Sequence, residues 1–377
     1  MTDPQALTAL ADQLTARQAD IAATRVVAGL DGFVDELIQV VDERQDLEHY
    51  TPIASLARFG ELLTDAAGKS SLREIVVTST DAGGCAVNLG DGIAHLGVQL
   101  DYFGTLGQPR HAAFDAFASR CRSCTGWGRE PGRTLALEFA DGKYMLSSVA
   151  QLAEFDCALL DQVLADGAFA EACGAAHLIA LTNWTLYPHM TACWKKLQDR
   201  VFAELDQRPW FFIDLVDPRS RSREDLEAMV QVLRRFEIHG RTVFGGNLNE
   251  ANAMAALLGI DQVDEDAAAM QEQTAAIRAS LEIEQVAIHA IRGAACATAA
   301  GTAWVDGPYT ATPKKSTGAG DRFNAGYCLG NLLDLPAKER LLLGTAASGY
   351  FVRNAHSATG DQLIAFCRQW AADELPD

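Results

Sequence analysis

One glycine-rich turn in the sequence combines the residue types needed to hold an anion next to a carboxylate. Residues 314–326 read Lys-Lys-Ser-Thr-Gly-Ala-Gly-Asp-Arg-Phe-Asn-Ala-Gly. Gly318, Ala319 and Gly320 have little or no side chain, so their backbone N–H groups can approach an anion closely. An apolar helix is predicted to follow, and its N-terminal end would add partial positive charge. The pattern therefore predicts an anion hole at residues 318–320.

Asp321 follows this turn directly, and the turn alone leaves two interpretations of it open. A carboxylate beside an anion-binding turn suits a general base in phosphoryl transfer. An Asp after Gly is also a common helix N-cap. The residues that the fold brings to Asp321 must decide between them.

Two further carboxylates, Asp31 and Asp35, interrupt an otherwise apolar run over residues 25–41. A buried carboxylate is costly unless something is bonded to it, so we expect at least one of the two to face a polar ligand. The alternative is an Asp-Gly turn at Asp31 with Asp35 exposed to solvent.

A third candidate segment is Gly83-Gly84-x-x-x-Asn88, which runs into a predicted helix. Adjacent glycines allow a ligand to approach the backbone, and an amide offers both a donor and an acceptor, which suits vicinal hydroxyls. A simple turn with an ordinary residue in the first helical turn is the competing interpretation.

The elements that must position these residues alternate between helix and strand. After a predicted hairpin at residues 133–146, strands are expected at 177–182, 210–216, 241–244 and 285–291, with helices at 158–172, 189–206, 222–236, 249–258 and 265–280. This alternation indicates an α/β fold with a mostly parallel sheet and helices on both faces. Ligands bind such sheets at the carboxyl ends of the strands. The candidates there are Asn183, Asp214, Asp217, Arg219 and residues 246–250.

Composition limits the function classes. The 377 residues are 49% hydrophobic and 21% charged, with a net charge of −19, which favours a large folded core and argues against nucleic-acid binding. No apolar run approaches the length of a membrane span, and residues 1–24 read as a helix instead of a signal peptide. Nine scattered cysteines are typical of a reducing cytoplasm, and the lone pair Cys121-x-x-Cys124 lacks the partners of a zinc site.

Four of these segments, in this order, resemble the ribokinase (PfkB-like) carbohydrate kinase family over roughly residues 25–370. The four are Gly29 to Asp35, Gly83-Gly84-x-x-x-Asn88, Asn247-x-x-Glu250 and Ser316-Thr-Gly-Ala-Gly-Asp321. The resemblance implies a ribokinase-like α/β fold forming a single domain over residues 1–377. We expect a helical extension at 1–24 and a small β-lid drawn from about residues 32–50 and 130–148.

The resemblance also implies an activity, the transfer of the γ-phosphoryl group of ATP to a hydroxyl of a sugar. Asp321 would take the hydroxyl proton, and the N–H groups of residues 318–320 would stabilise charge on the phosphoryl group. Asp31 or Asp35, Gly83, Gly84 and Asn88 would bind the substrate.

The cofactors expected from the resemblance are ATP and Mg²⁺. Glu250 and Asn247 would hold Mg²⁺ through water, because Mg²⁺ keeps several waters in protein sites. Asn247, Arg322 and Asn354 are predicted to contact the nucleotide. The β-lid suggests a homodimer.

Two residues beside the base depart from the family pattern. Lys315 occupies the place of a usual Asp, which in potassium-activated relatives helps to bind the cation, so we expect activity without K⁺. Arg322 opposes the dipole of its helix, which suggests that it meets an anion of ATP or of the substrate. An arginine that reaches solvent is the alternative.

The sequence is also compatible with three other functions, and it does not identify the substrate. A nucleoside kinase could stack a base on Phe33, Trp184 or Tyr187, and a phosphosugar kinase could use Arg219, Arg221 and Arg322. A non-catalytic sugar-binding relative would have no need of Asp321. Which of Asp31 and Asp35 binds sugar also stays open.

Overall fold

The computed structural model describes residues 3–376, which form two β-sheets and fourteen α-helices within that range. The strands are β1 (Arg25–Gly29), β2 (Phe33–Arg44), β3 (Tyr50–Pro52), β4 (Ile75–Gly83), β5 (Gln99–Gly104), β6 (Ser123–Gly126), β7 (Gly132–Phe139), β8 (Gly142–Ser148), β9 (Leu178–Thr182), β10 (Trp210–Asp214), β11 (Arg241–Asn247), β12 (Gln285–His289), β13 (Gly293–Thr298) and β14 (Gly301–Asp306). The helices are α1 (Pro4–Ala16), α2 (Gln18–Ala23), α3 (Leu56–Asp65), α4 (Cys85–His95), α5 (Asp115–Ala118), α6 (Cys157–Leu164), α7 (Ala168–Gly174), α8 (Met190–Arg200), α9 (Arg223–His239), α10 (Leu248–Leu258), α11 (Ala267–Leu281), α12 (Ala319–Leu332), α13 (Ala337–Asn354) and α14 (Gly360–Ala371).

The larger sheet has nine strands in the order β14-β13-β12-β11-β10-β9-β1-β5-β6. The run from β12 to β6 is parallel throughout, and β13 and β14 add an antiparallel edge. The predicted α/β class with a mostly parallel sheet is therefore confirmed. Parallel strands joined by helices place all their carboxyl ends at one edge, which is where the candidate residues meet.

Helices cover both faces of the larger sheet because successive side chains on each buried strand point to opposite sides. On β1, Val26 and Ala28 join the apolar cluster that contains α1, α4, α12, α13 and α14. Val27, between them, joins the cluster that contains α6 to α11. The predicted arrangement of helices on both faces follows from this alternation.

The first two helices belong to the core, as their apolar periodicity predicts. Leu7, Leu10, Leu14 and Ile21 are all buried, and α1 packs mainly along α14. Asp3 caps α1 by accepting a hydrogen bond from the backbone N–H of Gln5 at 2.9 Å.

The smaller sheet is built around β2, which pairs with β3, β4 and β7, while β8 continues from β7. It includes the predicted hairpin, and it also recruits β4, which lies outside the two ranges expected for a lid. Helix α3 covers one face, where Phe59 stacks on Phe139 with ring centroids 5.4 Å apart.

Helix α3 begins shortly after strand β3. Pro52 ends strand β3, and the helix starts at Leu56 because the Ser55 side chain accepts the N–H of Arg58 at 3.1 Å. The Ser cap therefore determines the helix start, not the proline. None of the helices in residues 3–376 has the length and apolar character required to cross a bilayer.

The packing of α1 predicts a measurable dependence of stability on the N-terminal helix. Leu10 is fully buried, so Leu10→Ala should lower the free energy of unfolding by about 2–5 kcal/mol through lost burial and a residual cavity. Urea unfolding would measure the loss. Leu47→Ala is the control, since Leu47 is 98% exposed and its removal should change stability little. Equal unfolding midpoints for the two variants would contradict the role given to α1.

Candidate active site

Polar side chains from separate strands converge at the carboxyl edge of the larger sheet. Asp31 follows β1, Asn183 follows β9, and Asp214 ends β10. Asn247 and His289 end the neighbouring strands β11 and β12, where they are direct register partners. Asp31 and Asn183 are joined by a hydrogen bond of 2.7 Å. The strand order therefore brings these predicted residues together at one edge of the sheet.

The glycine turn before α12 has a left-handed residue at its centre. Gly318 has φ 87° and is the N-cap of the helix, and its carbonyl accepts the backbone N–H of Arg322. A side chain at Gly318 would also come within 2.8 Å of the Arg322 guanidinium. The Ala319 N–H donates to the Ser316 carbonyl at 3.0 Å, so this predicted anion-hole group already has a partner in the turn. The hydrogen bonds found in residues 3–376 leave the N–H groups of Gly318 and Gly320 for a ligand.

Asp321 lies in the first turn of α12 and interacts with a second helix. The Asn88 amide hydrogen-bonds the Asp321 carboxylate, and Asn88 belongs to α4. Burial raises the pKa of Asp321 well above its usual value, and the negative charge of Asp214 raises it further. The Arg322 charge and the Asn88 hydrogen bond oppose that rise. A carboxylate with a raised pKa near a binding cavity is suited to accept a proton.

Asp31 is a structural acceptor in this arrangement. Its carboxylate is fully buried and accepts the N–H groups of Cys85 and Ala86 at 2.9 Å and the Asn183 amide at 2.7 Å. Burial raises its pKa to about 7, against the effect of those hydrogen bonds. Because these donors occupy both carboxylate oxygens, Asp31 anchors the start of α4 instead of presenting a free oxygen to a sugar.

Asp35 is placed differently, on β2 of the smaller sheet. It is partly exposed and accepts a hydrogen bond from Thr134, with Lys315 and Lys143 close enough to lower its pKa. Burial nevertheless raises the pKa of Asp35 overall. Of the two aspartates, Asp35 is the one that retains access to a ligand.

The glycine pair before α4 accommodates these two carboxylates. A Cβ atom at Gly83 would lie 2.1 Å from Oδ2 of Asp35, and one at Gly84 would lie 2.9 Å from Oδ1 of Asp31. Gly84 also has φ 105°, which L-residues rarely adopt. The close approach that the two glycines permit in this structure is to Asp35 and Asp31, and their contact with substrate stays a prediction.

Asn247 and Glu250 form a reciprocal capping box at the start of α10. The Asn247 side chain accepts the N–H of Glu250 at 3.0 Å, and Oε2 of Glu250 accepts the N–H of Asn247 at 2.9 Å. Burial raises the pKa of Glu250 well above normal, and the charge of Asp214 and then that of Asp321 add to the rise. A divalent cation would relieve this repulsion, so the residues suit Mg²⁺ held mainly through water. Within residues 3–376, no group of three or more His, Cys, Asp or Glu side chains forms a ready-made metal cage.

A cavity of about 620 Å³ opens beside the turn, between α12, α13 and the ends of β11 and β12. Its lining includes Asn247, His289, Ser316, Ala319, Gly320, Phe323, Thr345, Gly349 and Val352. The volume falls in the range of small-molecule and cofactor sites. The cavity borders the glycine turn through Ser316, Ala319 and Gly320.

Two residues predicted to contact the nucleotide lie elsewhere. Asn354 does not line the cavity, since its amide donates to the Tyr350 carbonyl of its own helix at 2.9 Å. The Arg322 side chain is buried and forms an ion pair with Asp91, with Nη2 3.2 Å from Oδ2. The solvent exposure considered for Arg322 is therefore wrong, and the anion that it meets among the described residues is Asp91.

His289 is a residue that sequence reasoning missed. It lines the cavity, and a Cβ atom at Gly320 would lie 2.8 Å from its Nε2 atom. Burial lowers the pKa of His289 to about 4, so the ring is neutral near pH 7. Its position near the end of the predicted strand 285–291 is the signal that the sequence offers, since no motif includes His289.

Comparison with known proteins places this geometry in a family. The model of the prokaryotic ketohexokinase family matches residues 2–370. A curated ketohexokinase from Haloferax volcanii is 30% identical over 368 residues, covering 94% of this chain and 96% of that protein. The chain belongs to the prokaryotic ketohexokinase family.

Solved structures similar to this family member share its fold. Arabidopsis thaliana ribokinase complexed with ribose and ATP has a TM-score of 0.62 at 14% identity, covering 92% of this chain and 98% of its own. A mutant of Escherichia coli phosphofructokinase-2 has a TM-score of 0.60 at 15% identity, covering 93% and 99%. The predicted ribokinase-like fold and the resemblance to PfkB kinases are thereby confirmed. The chain is a sugar kinase of this fold, a phosphotransferase with an alcohol group as acceptor.

Because Asp31 and Asp35 lie in different environments, we expect removal of Asp35 to affect sugar binding and removal of Asp31 to affect stability. Asp35→Ala should raise KM for the sugar about 10-fold or more, since a hydrogen bond to a charged group contributes about 1.5–3 kcal/mol, and should leave stability nearly unchanged. Asp31→Ala should instead lower the free energy of unfolding by about 1–3 kcal/mol, because buried N–H groups lose their acceptor.

Steady-state kinetics and denaturant unfolding of both variants would test this division. A normal KM in Asp35→Ala, or wild-type stability in Asp31→Ala, would show that the roles are assigned wrongly.

Proposed function

We propose that this chain is an ATP-dependent ketohexokinase, which transfers the γ-phosphoryl group of ATP to a hydroxyl of a ketohexose. The observation that carries the proposal is the Asp321 carboxylate at the N-terminal end of α12, beside a cavity that reaches Asn247. The name of the Haloferax volcanii relative supports a ketohexose as the acceptor. Family membership supports the reaction class.

In the proposed reaction, Asp321 accepts the proton of the sugar hydroxyl as that oxygen bonds to the γ-phosphorus. The bond from the γ-phosphorus to the β–γ bridging oxygen breaks, and ADP leaves with that electron pair. The N–H groups of Gly318 and Gly320, with the positive end of α12, stabilise the charge on the phosphoryl oxygens. The raised pKa of Asp321 makes it a stronger base than an exposed carboxylate.

The nucleotide would occupy the cavity between α12 and α13, with its phosphates toward Gly320. Asn247 lines that cavity, and Glu250 adds a carboxylate behind it. These two residues would hold Mg²⁺, which supplies charge neutralisation for the phosphate groups. His289 would face the same phosphates as a neutral donor.

The smaller sheet would act as the lid over the sugar, within a single domain that spans the chain. Asp35, Thr134 and Lys143 lie on it, and Lys315 approaches Asp35 from the turn before α12. Asp35 would bind sugar hydroxyls there together with the Asn88 amide. This assignment gives the ligand contact to Asp35 and leaves Asp31 as the anchor of α4.

The two rival kinase activities find less support in the side chains proposed for them. Phe33, Trp184 and Tyr187 are buried in the core, so they present no ring on which a nucleoside base could stack.

The arginines suggested for a phosphosugar are already engaged. Arg219 pairs with Asp217, and Arg221 lies over the Trp184 ring at 4.2 Å and donates to the carbonyls of nearby residues. Arg322 is paired with Asp91. A purely sugar-binding relative would not need the environment that raises the pKa of Asp321.

We also propose that two copies associate through the smaller sheet and that the protein works in a reducing cytoplasm. Ile75 and Val77 remain exposed on β4, and Tyr144 and Leu146 remain exposed on β8. Exposed apolar side chains of this kind favour association. The nine cysteines are all free thiols, as a reducing compartment requires.

The role of Asp321 can be tested by one isosteric change. Asp321→Asn should lower kcat by about 10²–10⁴ while ATP binding stays near normal, because the amide cannot accept the proton. Phosphate transfer would be measured on ketohexoses, aldohexoses, phosphosugars and nucleosides. Asp334→Asn, just beyond the far end of the same helix, should behave as wild type. Unchanged turnover in Asp321→Asn would remove Asp321 from its assigned role.

The position of Lys315 leads to a prediction about monovalent cations. Its ammonium lies 5.9 Å from the centre of the Phe351 ring and close enough to Asp35 to lower that residue's pKa. We propose that this fixed charge replaces a bound cation, so turnover should be equal with and without K⁺ at constant ionic strength. Choline chloride serves as the control salt. Strong activation by K⁺ would refute the proposal.

A further inference from the structure

The Arg322 guanidinium lies next to the glycine turn, and each of its three nitrogen atoms donates a hydrogen bond. Nη1 donates to the Gly318 carbonyl at 3.3 Å, Nε donates to the Ser357 hydroxyl at 3.0 Å, and Nη2 donates to Asp91 at 3.2 Å. The guanidinium carbon also lies 4.4 Å from the centre of the Phe351 ring. The side chain is therefore fixed between α4, α13 and the turn.

Asp91 holds the other end of this network. Its Oδ2 accepts the Ser357 hydroxyl at 2.6 Å as well as Arg322, and its Oδ1 accepts Nη2 of Arg120 at 2.8 Å. Burial opposes ionisation of Asp91, but the hydrogen bond from His95, the Arg322 charge and the Ser357 hydroxyl hold its pKa well below normal. Asp91 therefore provides Arg322 with a permanent counter-charge.

Close helix packing brings the two charges together. Gly92 follows Asp91 on α4, and a Cβ atom there would lie 2.7 Å from the Cβ atom of Ala325 on α12. Asn88, one helical turn earlier on α4, hydrogen-bonds Asp321. One helix thus contacts both the base and the arginine that follows it.

Stability alone does not require an ion pair at this place. A cation in the first turn of a helix opposes the helix dipole, and apolar residues of similar volume often stabilise a core as well as a buried ion pair does. What an apolar pair cannot do is donate a hydrogen bond to the Gly318 carbonyl or place a positive charge next to Asp321.

We propose that Asp91 and Arg322 are positioning residues for phosphoryl transfer: Asp91 holds Arg322, and Arg322 fixes the Gly318 peptide and sets the charge beside Asp321. The inference rests on the proposed function. The orientation of the Gly318 peptide determines where the neighbouring N–H groups point, so a shift of about 1 Å there can lower the rate about 100-fold.

The network also predicts a shift in the pH profile. Asp321 is faced by Asp31, Asp214 and Glu250 from the strand ends and α10, by Asn88 from α4 and by Arg322. Arg322 lowers the pKa of Asp321, so its loss raises that pKa. The base must be ionised to work, and the acid limb of kcat/KM should therefore move to higher pH.

Three substitutions distinguish the effect of positioning the Gly318 turn from the effect of the Arg322 charge on Asp321. Asp91→Asn and Arg322→Lys should each lower kcat about 10-fold to 100-fold with little change in sugar KM, because the turn loses its support. Arg322→Lys keeps the charge and should leave the acid limb in place. Arg322→Met should lower kcat equally and also move the acid limb upward.

Asp101→Asn is the matched control, because it breaks a second ion pair of a buried aspartate. Asp101 lies on β5, is 2% exposed and pairs with Arg122, whose Nη2 is 2.5 Å away. This variant should lose stability in denaturant unfolding without losing kcat per folded molecule. Ser357→Ala, which removes one hydroxyl from the network, covers the case in which Asp91→Asn folds poorly, and it should lower kcat several-fold.

Two results would overturn the inference: wild-type kcat in both Arg322→Lys and Ser357→Ala, or an acid limb that does not move in Arg322→Met. Failure of the proposed function has a different signature, since the wild-type protein would then phosphorylate none of the sugars tested.

Discussion

The gathering of several carboxyl groups at one edge of the nine-stranded sheet constrains the rest of the site. Asp31, Asp214 and Asp321 are all raised in pKa by burial, and Asp214 raises the pKa of the other two. Their neighbours are mainly neutral donors, namely the amides of Asn88, Asn183 and Asn324 and the first N–H groups of α4. These hydrogen bonds lower the pKa of each carboxyl group, but burial outweighs them and leaves the pKa values raised. The charge that does lie beside Asp321, on Arg322, is shared with Asp91.

Much of this fold follows from local patterns in the sequence. The alternation of buried strands and amphipathic helices from residue 177 onward predicts the parallel sheet, and the topology of such a sheet predicts that Asn183, Asp214 and Asn247 meet at one edge. The glycine turn at 318–320 predicts that a helix follows it, and α12 begins there at Ala319. These features depend on residues that are close in the sequence or on a general rule of chain connection.

The partners of the charged residues could not be predicted in the same way. Arg322 and Asp91 are 231 residues apart, and nothing in either local segment indicates that α4 and α12 touch. The same limit applies to Asp31, whose partners at Cys85 and Ala86 depend on where β4 delivers the start of α4. His289 belongs to no motif, so only its position at a strand end distinguished it from the other histidines. Partner identity depends on tertiary packing, which periodicity does not encode.

Strand β4 ends at Gly83 and helix α4 begins at Cys85, so a single residue, Gly84, joins the smaller sheet to α4. Asn88 and Asp91 of α4 bond to Asp321 and Arg322 on α12. A connection this short allows little independent movement of the strand and the helix. Any displacement of β4 must be absorbed by the torsion angles of Gly83 and Gly84 or passed along α4 to Asn88 and Asp91. The strand and the helix are thus coupled through the two glycines, and Asp31 fixes the start of the helix by accepting the N–H groups of Cys85 and Ala86. A displacement of the sheet that carries Asp35 therefore reaches α4 through the covalent chain, and it reaches Asp321 through the hydrogen bond from Asn88.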